Sequence, residues 1–238
     1  MPTQLDSALL EELEAGKYAF VDAGCGIGGS IRHCEMRFGW RPGLGLDQAE
    51  GDLQVARERG CAVAVCDLLS VELPAACVRF ASMMDFLEHL PDADSARQVL
   101  EKLARAARDF LFIRHPSFDD VEYLAQYGLK FGWTEWAGHP NRMRVDAFRR
   151  LFEEMGWSDY RIQPDLPIRD SSHVGIVPAS APSDAYEYDE AVHGPKPRVE
   201  FDRVLYGKYD IFLRLNANLG DAEWQRITSM EGWRAVWE

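Results

Sequence analysis

The stretch FVDAGCGIGGSI, residues 20–31, combines an apolar run, a dense set of glycines and the start of a helix-compatible segment. That pattern predicts a strand, a bare turn and a helix N-terminus. Gly24, Gly26 and Gly28 would let a ligand approach main-chain N–H groups without meeting a Cβ. Gly24, Gly26 and Gly29 also satisfy G-x-G-x-x-G, the dinucleotide fingerprint. Asp22 argues against a dinucleotide, because a carboxylate two residues before the first glycine would face a pyrophosphate. At an effective dielectric of about 20 and a separation of about 4 Å, that repulsion is on the order of 4 kcal/mol. A cofactor without phosphate that carries a sulfonium and an ammonium would instead be attracted, directly or through water.

Two further carboxylates fall at matching places. GLGLD, 43–47, and CAVAVCD, 61–67, read as the second and third strands, so Asp47 and Asp67 project from the same C-terminal edge as Asp22, where open α/β sheets bind ligands. Asp47 offers two oxygens to two adjacent ribose hydroxyls. A nicotinamide dinucleotide site uses an acid in that position too, so Asp47 alone leaves the cofactor open. Each of these acids could also be a simple strand-end helix cap.

Taken together, these residues resemble the class I S-adenosylmethionine-dependent methyltransferase family, whose first motif is a strand ending in an acid followed by G-x-G-x-G. The resemblance covers about residues 18–115 and extends to MMDFLEHLPD, which is similar to the family's fourth motif. It implies an α/β fold: a doubly wound, seven-stranded, mostly parallel sheet with helices on both faces and the last strand antiparallel. It implies S-adenosylmethionine as cofactor and S-adenosylhomocysteine as product, held by Asp22, Gly24, Cys25, Gly26, Ile27 and Gly28 in the loop and by Asp47 and Gln48 at the ribose. Cys66, Asp67 and Leu68 would enclose the adenine, Met84, Asp85 and Phe86 would line the methionine end, and Glu88 and His89 would stand near the transfer site.

Methyl transfer is an in-line displacement at an activated carbon, so the enzyme mainly aligns the reactants and excludes water. A hydroxyl acceptor also benefits from a base, and histidine titrates in the right range. His89, His115 and His139 fall in segments expected at the C-terminal edge, with His139 slightly favoured by the two neighbouring tryptophans. The alternative is that these histidines fasten a lid to the body. No acid pair on strand ends precedes an Asp-Asn, so no metal site is expected, and Asp119 and Asp120 read as charges in the first turn of a short helix capped by Ser117.

The supporting elements follow from periodicity. Helices are expected over 5–13, from Ile31 to Gly39 and over 48–59 with Gly60 as stop. Another starts at Asp92 or Asp94 with Ala96, Val99, Leu100, Leu103 and Ala107 inward and Arg97, Lys102, Arg105 and Arg108 outward. FLFI, 110–113, reads as a buried strand, 145–155 as a helix, and 157–162 and 209–215 as the last strands. Between them, 114–144 reads as an aromatic lid acting through Tyr123, Tyr127, Trp133, Trp136 and His139, although core packing suits Trp133 and Trp136 nearly as well. The segment 163–208 reads as a proline-rich insertion. Asp221 should cap a closing helix to about Met230, with Trp224, Trp233 and Trp237 as core or interface anchors.

All of this reads as one domain over 1–238. A net charge of −13 disfavours polyanions, so nucleic acid is not the expected substrate. The five cysteines form no C-x-x-C pair and read as thiols of a reducing, cytoplasmic protein. No leader or membrane span is expected, and the assembly is expected to be a monomer or homodimer. The acceptor that best suits aromatic walls with histidine, asparagine and arginine is a hydroxyl of a small molecule or glycan precursor. N-methylation of a small amine, an NAD-dependent dehydrogenase and a non-catalytic cofactor-binding module are the alternatives.

Overall fold

The computed structural model describes residues 5–182 and 188–229. Trp233 and Trp237 lie outside them. In chain order the first half holds α1 (Ser7–Glu14), β1 (Phe20–Ala23), α2 (Gly29–Phe38), β2 (Gly43–Asp47), α3 (Glu50–Glu58), β3 (Ala62–Val65), β4 (Val78–Met84), α4 (Ala93–Ala106) and β5 (Ala107–Pro116). The second half holds α5 (Val121–Ala125), β6 (Leu129–Phe131), α6 (Val145–Glu154), β7 (Tyr160–Asp170), β8 (Ile176–Pro178), α7 (Glu190–His193), β9 (Glu200–Arg214) and α8 (Asp221–Thr228).

Seven strands form one sheet in the order β3-β2-β1-β4-β5-β9-β7. The first five pair in parallel, and β9 runs antiparallel to both β5 and β7. Strand alternation separates two buried faces. On one, Phe20, Phe80 and Phe110 lie in register across β1, β4 and β5 and stack at centroid distances of 4.6 and 4.8 Å. Gly43 pairs with Phe20, and a Cβ there would run into the Phe20 ring, which explains a glycine inside a strand. Phe38 of α2 and Trp224 of α8 complete this layer. The other face buries Val21, Leu44, Ala81 and Leu111 under α1, α4 and α6.

Asp92 caps α4 by accepting the Ser95 N–H at 2.8 Å, and Ala96, Val99, Leu100 and Leu103 are buried as the periodicity requires. Lys102, expected in solvent, is buried instead. Its stem packs inward and its ammonium donates to the carbonyl oxygens of Leu68 and Leu69. Ala107 is already the first residue of β5. Gly220, not Asp221, occupies the N-cap of α8, and Asp221 instead pairs with Arg214 at 3.1 Å.

The proline-rich insertion is shorter than its composition suggests. β7 and β9 form a long antiparallel ribbon from Tyr160↔Leu213 to Asp170↔Glu200, so 163–170 and 200–208 are strand. Pro164 and Pro167 are tolerated because β7 is the edge of the sheet. What remains of the insertion supplies β8, which pairs with β6 from the expected lid. The two segments share an apolar core of Phe118, Leu124, Phe131, Trp133, Ile168, Ile176 and Leu205. Lid and insertion are therefore a single cap. Ser117 does not cap α5, since its hydroxyl is buried and Asp120, with φ of 58°, precedes the helix.

Candidate functional site

The loop after β1 is tied down by its own backbone and by acids. Gly24 and Cys25 N–H groups both donate to Leu46 O, and Gly26 N–H donates to Asp47 Oδ2 at 2.8 Å. Gly24 has φ of 73° and lies so close to Phe86 that a Cβ would overlap the ring. Asp47 Oδ1 accepts Ala49 N–H at 2.9 Å, so this carboxylate joins the glycine loop to the start of α3. Asp67 accepts the Leu69 N–H and the Ser70 hydroxyl, both at 2.9 Å, closing its own turn. One aspartate thus organises the loop and the next shapes the strand end, and each carboxylate oxygen retains a lone pair for a ligand donor.

Gly24, Asp47, Gln48, Cys66, Asp67, Leu68 and Phe86 come together around one cavity of about 590 Å³ at the C-terminal edge of the sheet. Asp85 lines it as well, and the other expected cofactor residues do not. Asp22 is fully buried beneath the loop, where the hydroxyls of Ser30 and Ser82 donate to its two oxygens. Burial pushes its carboxyl up to about 6. Asp22 thus holds the loop from below through Ser30 and Ser82 and does not line the cavity. Cys25 is buried with its thiol pushed well up by desolvation, and Met84 packs its sulfur against Cys34. Gly26 and Gly28 act through backbone shape, with a Cβ on Gly28 meeting Cys61 Sγ at 2.8 Å, and Ile27 is exposed.

Asp52, Leu69, Leu90 and Pro91 also line the cavity and were not anticipated. Asp52 is in the first turn of α3, where an acid reads as a helix-start charge. Ser82 was missed as well, although a lone hydroxyl inside an apolar strand and in register with Asp22 was a usable signal. Asp85 turns the chain out of β4 with φ of 50° and pairs with Lys208 at 2.6 Å. Arg114, expected near the acceptor, is instead locked to Asp210, which Arg37 also grips. These guanidinium groups hold the Asp210 carboxyl below its ordinary range despite its burial.

The three histidines converge. His89, on a 3-10 turn of Leu87–His89, is exposed and lines the cavity. His139 and His115 are buried behind it, with the His89 and His139 rings 4.8 Å apart. His139, favoured from its setting, therefore does not face the cavity, and neither does His115. Burial lowers both to about 4, so both are neutral at pH 7. Glu88, beside them, is fully buried and raised to about 8 by burial first and by the Asp85 charge second.

The cap is latched to this turn. His89 Nδ1–H donates to Gly138 O at 2.7 Å, Asn141 Nδ2–H to Leu87 O at 3.0 Å, and Asn141 N–H to Glu88 O at 3.2 Å. Trp136 sits edge-on to His89 at 5.6 Å. Trp133 is buried in the cap core with its indole N–H on Ser117 O at 2.9 Å, and Tyr123 and Tyr127 pack on Phe201. Of the expected lid residues, Trp136 and His139 are in ring contact with His89.

Residues 21–109 match a family model described as methyltransferase domain. No curated protein matches the sequence. The fold is similar to an S-adenosylmethionine-dependent methyltransferase from Archaeoglobus fulgidus, 16% identical with a TM-score of 0.56 over 87% of this chain and 93% of that one. It is also similar to the methyltransferase bound to the Haloferax volcanii Trm112 activator, 16% identical, TM-score 0.55, covering 89% and 92% of the two chains. A Thermotoga maritima methyltransferase is 18% identical, with a TM-score of 0.51 over 88% and 89%. Among the described residues no helix is long and apolar enough to cross a membrane. The matched segment spans the glycine loop and all three strand-end aspartates, and with the strand order around it the chain has the Rossmann-like fold of S-adenosylmethionine-dependent methyltransferases.

Proposed function

We propose that the protein transfers the methyl group of S-adenosylmethionine to a hydroxyl of a small molecule or glycan precursor, with the acceptor activated at His89. The observation that carries this reading is the placement of His89 on the cavity that also holds Asp47 and Asp67. Gly138 O can only accept, so Nδ1 bears a proton, and in the neutral ring Nε2 is the nitrogen free to take one. A neutral hydroxyl gains from such a group, whereas a neutral amine is nucleophilic without one. In this reading Asp47 takes the ribose hydroxyls, Asp67 and Leu68 flank the adenine, and Gly24 and Phe86 shape the path toward the sulfonium. Asp22 acts from below by holding Ser30 at the start of α2.

A second reading, methylation of a small amine, is favoured by one feature: Asp85 and Asp52 add negative charge to the cavity and would attract a cation. Methyl transfer from labelled cofactor across metabolite pools, followed by linkage analysis of the product, separates the two. An O-methyl product that disappears in His89→Ala, with S-adenosylhomocysteine binding retained, supports the proposal. A methylated nitrogen or carbon overturns it.

A further inference from the structure

Behind the rim formed by His89 lies a group of side chains that proton transfer alone does not account for. Glu88 is fully buried, and neither of its oxygens has a hydrogen-bond partner. A buried carboxyl left in that state forfeits its hydration without compensation, and such a group calls for an ion or a water. His115 Nε2 is likewise buried without a partner, 4.0 Å from Glu88 Oε2. One donor atom from each of Glu88, His89 and His139 lies within 4.8 Å of the other two.

The histidines share a second property. His89 Nδ1–H donates to Gly138 O at 2.7 Å, His139 Nδ1–H to Trp133 O at 3.1 Å, and His115 Nδ1–H to Pro116 O at 2.8 Å. A carbonyl cannot donate, so in each neutral ring Nε2 is the unprotonated nitrogen. This is how metal-ligating histidines are oriented, with the second ring nitrogen anchored to a main-chain oxygen. Glu88 and His89 are neighbours in the chain, but His115 and His139 come from the end of β5 and the latch at 138–141, so only the fold brings the four together.

We propose that Glu88, His89 and His139 hold a divalent transition-metal ion, with His115 Nε2 behind Glu88 Oε2. Imidazole and carboxylate donors suit zinc, iron or manganese, not calcium or magnesium. An ion about 2.1 Å from each donor sets tetrahedral donors roughly 3.4 Å apart, so the cluster closes by about an ångström on loading. Two imidazoles and one carboxylate leave coordination positions open, and His89 puts that side on the cavity. The ion's existence stands on this geometry alone. Its role rests on the hydroxyl-transfer reading: an acceptor oxygen bound there gives up its proton to solvent at the rim, its lone pair forms the bond to the methyl carbon, and the carbon–sulfur bond breaks with its electrons to sulfur. His89 is then a ligand and not the base.

The test uses the full chain, stripped with a chelator and titrated with Co²⁺ by visible absorption and with Zn²⁺ by calorimetry. The expected result is one equivalent of each, with cobalt d–d bands that vanish in Glu88→Gln and His139→Ala and an affinity at least about tenfold weaker in His89→Ala. His173→Ala, away from the cluster, should keep the bands. Circular dichroism and S-adenosylhomocysteine binding establish that each variant is folded, and His89→Ala, at an exposed position, serves if the buried variants are not. A folded, cofactor-binding wild type with no bands and no stoichiometric Zn²⁺ overturns the metal site and leaves the cofactor reading intact. Bands unchanged in both His89→Ala and His139→Ala overturn it too, by assigning the metal to surface groups. Cobalt bands in a protein that binds no S-adenosylhomocysteine uphold the site while removing the cofactor reading.

Discussion

The cofactor half of the sheet and the cap over 117–144 and 171–199 are built by different means. In the first, five parallel strands fix each other's register, and the cavity-lining residues Asp47 and Asp67 are set by where β2 and β3 end. In the second, side chains do the positioning: Trp133 holds Ser117, Tyr123 holds Asp202 at 2.7 Å, and the Ser171 hydroxyl bridges Pro197 O and Val199 N. A site fixed by backbone registers tolerates change around it. One fixed by side-chain latches changes shape with a few substitutions.

The comparison can be broken most forcefully in the sheet. Phe80→Ala removes the middle ring of the Phe20–Phe80–Phe110 stack and is expected to cost about 3–5 kcal/mol of global stability by denaturant unfolding. A loss below about 1 kcal/mol would mean that the stack does not organise the parallel half.

Next in size is a pH effect at the junction with the cap. Glu88 titrates near 8 in the folded protein against 4.5 as the ordinary value, so between these pH values the native state holds a proton that the unfolded state has released. Its contribution to stability is therefore complete below about pH 4.5 and is lost as pH rises through about 8. His115 and His139, lowered to about 4, give the opposite slope below pH 6.5. The clean window is pH 6.5 to about 8, where metal-free wild type should lose about 2 kcal/mol relative to Glu88→Gln, at about 1.4 kcal/mol per pH unit. Parallel stability curves for the two proteins would show that Glu88 is already ionised in the fold.

Trp133→Phe probes the cap alone. It removes the hydrogen bond to Ser117 and part of the stack on Phe131, for an expected loss of about 1–2 kcal/mol. S-adenosylhomocysteine affinity should change less than about threefold. A large loss of cofactor affinity would mean that cap and cofactor site are one unit. Smallest of all, Tyr123→Phe breaks an exposed hydrogen bond to Asp202 and should shift stability by about 0.5 kcal/mol or less.

The same contrast decides what could be read from residues alone. Asp47 and Asp67 were legible because a strand ending in an acid has one place to put it, and the glycines were legible because close approach to Phe86 forbids a Cβ at Gly24. The inward turn of Asp22 was not legible, since its partners Ser30 and Ser82 come from α2 and β4. Pro164 and Pro167 marked a loop to the eye, yet at a sheet edge no partner needs the missing N–H. His89, His115 and His139 were legible as residues of the C-terminal edge, but their meeting with Glu88 was not, since it depends on the latch between 138–141 and the 87–89 turn. Lys102 escaped for a related reason: helical period assigned it to solvent, but the free carbonyls of Leu68 and Leu69 draw it in.

The central claim is that Asp47 couples the glycine loop to a bound S-adenosyl cofactor, and calorimetric titration of S-adenosylhomocysteine into wild type and Asp47→Ala tests it most directly. Asp47 supports the Gly26 N–H and would accept the ribose hydroxyls, and charge-assisted hydrogen bonds contribute about 1.5–3 kcal/mol each. Wild type should bind with micromolar affinity, and the variant should bind about 100-fold more weakly while keeping its fold. Equal affinity in the two proteins, or binding of NAD with none of S-adenosylhomocysteine, would contradict the account.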